Sequence, residues 1–136
     1  METALRPLGV EDCWALLRSS NVGRLAVAIH GEPFIFPVNF VVDDHRIIFR
    51  TDEGAKLDGV YRSRSVAFEV DGTDPEGETA WSVCMNGPAA AIVDPVRVAE
   101  LDVRWPTHWD PESMPYVIEI IPEQMTGQIL AWYNCT

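Results

Sequence analysis

Three short apolar runs joined by tight turn signals constrain this chain most. The runs cover residues 22–29, 34–42 and 46–51 and are rich in β-branched and aromatic side chains. Turn-forming residues separate them at 30–33 and 43–45. Runs of this length joined by such short connections predict three antiparallel strands in a meander. The chain is therefore expected to be built mainly on an antiparallel sheet.

The pattern elsewhere adds further strands and a few short helices. More strands are predicted over 65–70, over 79–93 with an interruption at 86–88, over 116–121 and over 124–133. Helices are predicted over 9–19, over 53–63 and, with Asp94 as N-cap and Pro95 in the first turn, up to about residue 103. Residues 71–78 are expected to be a polar loop, and 104–115 to be irregular. Six or seven strands with short helices, closed by turns, predict a small antiparallel β-barrel.

Length and hydropathy bound the organisation of the chain. Its 136 residues correspond to one ordinary domain, expected to span 1–136. No apolar run reaches the ~20 residues that cross a bilayer. The N-terminus shows no cationic-then-apolar pattern of a signal peptide. We therefore expect a cytoplasmic protein that does not enter a membrane.

The charge balance limits the possible partners. The chain has 21 acidic and 10 basic residues, and its net charge is −11. Because nucleic acids and anionic membranes both require Lys and Arg to neutralise phosphate, both are excluded as general partners. A small-molecule substrate is expected instead. Lys56 is the only lysine beside nine arginines, so a small anionic ligand must find one of these few cations locally.

The cysteines and histidines predict no metal site. The three of each type lie far apart and lack the converging spacing that zinc requires. Cys13 and Cys84 lie in apolar-periodic stretches and are expected to be small core residues.

The stretch from Arg50 to Leu57 carries the clearest chemical signal. A strand ends in Arg-Thr, a loop with Gly54 follows, and a helix begins around Lys56. A strand-to-helix turn offers free backbone N–H groups and the positive end of a helix dipole. With the guanidinium of Arg50, the Thr51 hydroxyl and Lys56, these groups predict a site for a phosphate monoester. The alternative is a solvated turn in which Lys56 pairs with a neighbouring carboxylate.

Two other stretches could contact a planar ligand. In Phe36–Phe40, Pro37 predicts a strand edge or a bulge, and backbone groups freed beside Asn39 can read the edge of a heterocycle. The alternative is an asparagine whose side chain satisfies the hydrogen-bonding groups of a bulge.

In the predicted strand 79–93, Trp81 offers a stacking face and Ser82 a hydrogen bond. The alternative for this tryptophan is a core position.

Taken in order, these segments resemble those of a known family. The sequence resembles the pyridoxamine 5′-phosphate oxidase-related, FMN-binding split-barrel family, in its short actinobacterial form, over about residues 8–130. The motifs that carry the resemblance are Gly23-Arg24-Leu25, Pro37-Val38-Asn39-Phe40, Phe49-Arg50-Thr51 with Gly54, Lys56 and Leu57, Val66 to Asp71, and Trp81-Ser82-Val83 with Gly87 and Ala89.

The resemblance implies a six-stranded split β-barrel that forms a homodimer with two flavin sites at the interface. By this resemblance, the FMN phosphate is held by Arg50, Thr51 and Lys56, with Leu57 packing beneath it. The edge of the isoalloxazine ring is lined by Val38, Asn39 and Phe40. Trp81 and Ser82 come from the second subunit and lie close to the flavin.

One departure from the family bears on the reaction. The oxidase itself carries an Arg-x-His pair near its C-terminus, whereas this chain has Gln128 and no histidine in that region. Gln128 stands where relatives often have Arg, and Ala80 where they often have Gly. Oxidation of pyridoxamine phosphate itself is therefore not expected.

The function implied is that of an FMN-dependent oxidoreductase whose substrate and catalytic residues stay open. A non-catalytic protein that stores flavin or senses redox state would need the same phosphate contacts. A deazaflavin-dependent reductase is a further alternative, but its anionic polyglutamate tail is disfavoured by the acidic charge balance. Haem is disfavoured because His30, His45 and His108 lie in predicted turns or loops.

Overall fold

The fold is mainly β, with nine strands and three short helices in the described part of the chain. The computed structural model describes residues 2–74, 76, 78–105 and 112–133. The strands are β1 (Glu2–Leu8), β2 (Val22–Ile29), β3 (Glu32–Asp43), β4 (Arg46–Thr51), β5 (Val66–Asp74), β6 (Thr79–Gly87), β7 (Ala89–Ala91), β8 (Tyr116–Ile120) and β9 (Gln124–Tyr133). The helices are α1 (Val10–Arg18), α2 (Ala55–Arg62) and α3 (Pro95–Asp102).

All nine strands form one curled antiparallel sheet in the order β1-β9-β6-β5-β2-β3-β4-β8-β7. Strand β3 joins its two halves, because residues 32–39 pair with β2 whereas residues 40–43 pair with β4. Pro37 lies in the first part, where no described strand pairs with the other side of β3, so its missing N–H removes no ladder hydrogen bond. The predicted strand edge at Pro37 is thus confirmed.

A sharp bend between β6 and β7 returns the chain from one half of the sheet to the other. Strand β6 pairs with β5 and β9, whereas β7 pairs with β8. At the bend, the N–H of Ile121 donates to the carbonyl of Pro88 at 3.0 Å. A Cβ on Gly87 would lie 2.0 Å from the carbonyl oxygen of Ile121, so only glycine allows this crossing. The predicted interruption at 86–88 is confirmed.

The core lies inside the curl of the sheet. Phe40 and Phe68 meet edge to face there, with ring centroids 5.2 Å apart, and both are about 1% exposed. Helices α1 and α2 contribute Trp14, Leu17 and Val60 to this core. A second, smaller cluster on the outer face joins Ile48, Val117 and Leu101 of α3.

Most predicted elements are confirmed, including the Asp94 cap, whose carboxylate accepts the N–H of Val96 at 3.0 Å. The predicted count of six or seven strands is wrong. Strand β1 lies outside the predicted elements, because its residues form a strand through pairing with β9. The start of the predicted loop 71–78 is also strand, since β5 continues to Asp74 opposite Thr79.

The predicted burial of Cys84 is likewise wrong, whereas Cys13 is buried at 1% exposure. Alternation along β6 turns Val83 and Met85 inward and Cys84 outward.

Candidate functional site

The turn between β4 and α2 presents free backbone donors. The first N–H groups of α2, those of Ala55, Lys56 and Leu57, have no acceptor within the helix, and no side chain of the described residues caps them. Gly54 precedes them with a φ of 145°, a conformation that favours glycine. A Cβ at Gly54 would meet no described atom within 4 Å, so the turn is open on the side of this glycine. The turn therefore has the donors and the room for an anionic oxygen group.

Two side chains flank this helix terminus. Thr51 is 1% exposed, and its hydroxyl donates to the carbonyl of Asp52 at 3.2 Å. Lys56 is half-buried and has no ion pair or hydrogen bond within the described ranges. The alternative pairing of Lys56 with Asp52 or Glu53 is not formed there, and the Glu53 carboxylate instead accepts the Tyr116 hydroxyl at 3.2 Å. This hydrogen bond raises the pKa of Tyr116.

Arg50 points away from this turn. Alternation along β4 places Thr51 on the inner face and Arg50 on the outer face, beside α3. Its guanidinium donates to the Asp102 carboxylate at 2.6 Å and to the carbonyl of Met114 at 3.0 Å. Its centre lies 5.2 Å from the ring of Trp105. Its Nε is buried without a hydrogen-bond partner in the part of the chain that is described.

The stretch predicted to line a ring edge lies where β3 passes from one half of the sheet to the other. Val38 and Phe40 are buried core residues, whereas the Asn39 side chain is exposed. The N–H of Phe40 donates to the carbonyl of Asn21 at 3.0 Å. Any contact made by Val38 or Phe40 to a ligand outside the core must therefore come from the backbone.

Trp81 and Ser82 lie elsewhere on the sheet. Both are half-buried, and the Trp81 indole lies over Gly72, where a Cβ would be 2.7 Å from its Nε1. They line a cavity of about 180 Å³ together with Leu5, Ala80, Gln128 and Leu130. The lining of this cavity includes none of the residues at the β4–α2 turn.

The structure thus brings together some of the predicted site residues and separates others. Thr51, Lys56 and the buried Leu57 surround one turn, whereas the guanidinium of Arg50 lies on the opposite face of β4. The predicted roles of Val38, Asn39, Phe40, Trp81 and Ser82 stay predictions. Sequence reasoning also missed the hydrogen bond from Tyr116 to Glu53, because the two residues meet only through pairing of β4 with β8.

A charged cluster occupies the outer face of the sheet. Arg24 donates to Glu69 at 3.0 Å and to Asp71 at 2.7 Å. Burial, followed by a hydrogen bond with Asp71, raises the pKa of Glu69, although Arg24 opposes the shift. Burial and these two carboxylates also raise the pKa of the Cys84 thiol, which makes a thiolate less available.

Comparison with known proteins places this fold among flavin-binding split β-barrels. An FAD-binding protein from Mycobacterium smegmatis is 32% identical, with a TM-score of 0.74 over 93% of this chain and 98% of its own. A Corynebacterium glutamicum protein, solved as a candidate pyridoxamine 5′-phosphate oxidase, is 30% identical, with a TM-score of 0.83 over 98% of both chains. The predicted split-barrel fold class is confirmed.

A family model and a sequence relative identify the family of this chain. The model of the pyridoxamine 5′-phosphate oxidase family matches residues 9–129. An uncharacterised protein of Mycobacterium tuberculosis is 37% identical over 122 residues, which cover 86% of this chain and 80% of that protein. The chain belongs to the pyridoxamine 5′-phosphate oxidase family.

In the described ranges, no helix is long and apolar enough to span a membrane.

Proposed function

We propose that this protein binds a flavin nucleotide by its phosphate at the β4–α2 turn and uses it to oxidise or reduce a small molecule. The observation that carries the proposal is the half-buried Lys56, which has no partner in the described chain and lies at an uncapped helix N-terminus. A cation and free N–H groups at one helix terminus are suited to a phosphate. Membership of the family and the FAD-binding Mycobacterium smegmatis relative support a flavin as the ligand.

The chain's own residues have distinct roles in this proposal. Lys56, the Thr51 hydroxyl and the N–H groups of α2 hold the phosphate, and Leu57 packs beneath the turn. Backbone groups of Val38 and Phe40, with the Asn39 side chain, line the ring edge. Trp81 and Ser82 approach from a second copy of the chain, which accords with their separation from the turn within one copy.

A bound flavin supplies hydride exchange at its N5 atom. The protein then orients the substrate and excludes water, and it requires no side chain to act as an acid or a base. We accordingly name no catalytic residue.

FMN is the form of flavin that we propose. A terminal phosphate suits a helix N-terminus, whereas the polyglutamate tail of a deazaflavin would meet a chain with 21 acidic residues. FAD has to be tested beside FMN because the Mycobacterium smegmatis relative binds it.

Flavin titration tests the cofactor. We expect FMN to bind with quenching of its fluorescence and to bind more tightly than riboflavin, which lacks the phosphate. FAD and the deazaflavin coenzyme serve as parallel ligands. Failure to bind any of the four would reject the proposal.

Turnover separates an enzyme from a flavin carrier, the second candidate function. The loaded protein would be mixed with NADH or NADPH and a set of quinone and nitro acceptors under anaerobic conditions. Reduction of the bound flavin followed by its reoxidation by an acceptor supports an oxidoreductase. Tight binding without turnover supports a storage or redox-sensing protein.

A further inference from the structure

We infer that a second site, distinct from the β4–α2 turn, binds a small organic anion. It is a cavity of about 250 Å³ between the end of α1 and strand β3, and we call it the arginine cavity. Two of the nine arginines of this acidic chain, Arg18 and Arg104, line it. Its remaining lining residues are Ser20, Asn21, Phe40, Val41 and Val42.

The cations at this cavity are not fully neutralised. Arg104 donates to Asp43 at 2.5 Å and also to the carbonyl of Val42, and these bonds occupy two of its five N–H groups. Asp43 also forms an ion pair with Arg97 at 3.6 Å. Arg97 and Arg46 both form ion pairs with Glu119. Among the described residues, three guanidinium groups thus share two carboxylates in this network, and Arg104 is the member that lines the cavity.

Arg18 adds a further unneutralised charge. It is exposed and forms no ion pair within the described ranges. In a chain of net charge −11, such a local excess of cations creates a potential that favours anions.

The neutral lining also offers a donor. The carbonyl of Asn21 accepts the N–H of Phe40 at 3.0 Å and thereby fixes this residue against β3. Its side-chain amide makes no hydrogen bond within the described residues. The Ser20 hydroxyl is already used, since it donates to the carbonyl of Leu16 at 3.0 Å. The donors that face the cavity are therefore two guanidinium groups and one amide.

These donors define the class of ligand. Guanidinium groups bind carboxylates and phosphates in a bidentate manner. The cavity is somewhat smaller than the roughly 300–1,000 Å³ of sites for drug-sized ligands. The fitting ligand is a small molecule with a carboxylate or a phosphate group. Phe40 lines this cavity and is also assigned to the ring edge of the proposed flavin site. None of the cavity's donors belongs to the flavin site, so the inference does not depend on it.

NMR titration of the full chain without added flavin tests the inference. Succinate and inorganic phosphate would be added in separate arms at constant ionic strength, with chloride as the control anion. We expect saturable shifts of the Asn21 side-chain amide and the Arg18 Nε–H signal with at least one of the two. The arm that saturates at the lower concentration identifies the ligand as a carboxylate or a phosphate. Absence of saturation in both arms, or equal shifts with chloride, would overturn the inference.

A pair of matched variants tests the assignment to Arg18. Loss of a charge-assisted hydrogen bond predicts that Arg18→Gln weakens binding by about tenfold or more. Arg64→Gln removes the same charge from an exposed residue outside the cavity and should change the affinity by less than about twofold. Arg18→Lys, which keeps the charge but not the planar fork, should fall between them. Equal affinity of the Arg18→Gln variant and the wild-type protein would contradict the site.

Discussion

At the scale of single residues, strand alternation places the side chains of Arg50 and Thr51 in different surroundings. The two are adjacent in sequence, but their side chains leave β4 on opposite faces. The Thr51 hydroxyl donates to the carbonyl of Asp52 at the start of the turn, whereas Arg50 ties α3 to the sheet through Asp102. The arginine predicted to bind phosphate is therefore engaged in a contact between α3 and the sheet.

Removal of Asp102 should be more harmful than replacement of Arg50 by an apolar residue. The Arg50 side chain is 4% exposed and that of Asp102 49% exposed, so Asp102→Ala leaves a buried cation without its carboxylate. We expect a loss of about 3 kcal/mol in unfolding free energy for this variant, at the low end for a broken buried pair. Arg50→Met should cost less, because the exposed Asp102 can be hydrated. Urea denaturation measures both, and the reverse order would contradict the assignment.

Glu69 should make stability depend on pH. Its pKa is raised by burial and by the hydrogen bond with Asp71, so the folded state favours the protonated carboxyl. Its contribution to stability is complete below the ordinary glutamate pKa and is lost as pH rises through the raised value. Glu69→Gln keeps a neutral group, so the variant should gain stability relative to the wild-type protein as pH rises through this window. A difference in unfolding free energy that does not change with pH would refute this account.

At the scale of elements, two features give the sheet its split form. Strand β3 changes partners after residue 39, and the bend at Gly87 carries the chain from β6 to β7. The bend depends on glycine at position 87, because any Cβ there would collide with the carbonyl oxygen of Ile121. At this point a single residue therefore determines where the chain leaves one half of the sheet.

Gly87→Ala should disrupt the bend. The added Cβ would lie 2.0 Å from a backbone oxygen, which cannot move away as the end of a flexible side chain can. We expect a loss of at least about 3 kcal/mol, at the upper end for overpacking. Gly9→Ala is the control, since its Cβ would be 4.0 Å from the nearest atom and should be nearly neutral. Similar thermal unfolding midpoints for the two variants would contradict the role of Gly87.

The elements that local pattern could predict are those with clear periodicity or turn chemistry. Strands β2 to β4, the Asp94 cap and the break at 86–88 were all visible in the sequence. Strand β1 was not, because its residues have little strand pattern of their own and depend on pairing with β9. The contact of Arg50 with Asp102 was hidden for the same reason, since only tertiary packing brings α3 to β4. The Thr51–Lys56 turn was foreseeable because it is local in sequence.

At the scale of the whole molecule, the separation of the two groups of site residues favours assembly. Trp81 and Ser82 line a cavity apart from the β4–α2 turn, and three strands lie between β6 and β4 in the sheet, which supports a flavin site shared by two copies. We therefore expect a homodimer with an interface of roughly 2,000 Å² or more. Sedimentation equilibrium would show a mass twice 15.2 kDa. A monomer that still binds flavin tightly would rule out the shared site.

The phosphate site at the β4–α2 turn is tested most directly by the affinity of Lys56→Ala for FMN and for riboflavin. Loss of a hydrogen bond to a charged phosphate should weaken FMN binding by about 1.5–3 kcal/mol, whereas riboflavin binding should be unchanged. Arg64→Ala, which removes the same charge from an exposed position, should leave both affinities near the wild-type values. If Lys56→Ala binds FMN as tightly as the wild-type protein does, the phosphate is not held at this turn.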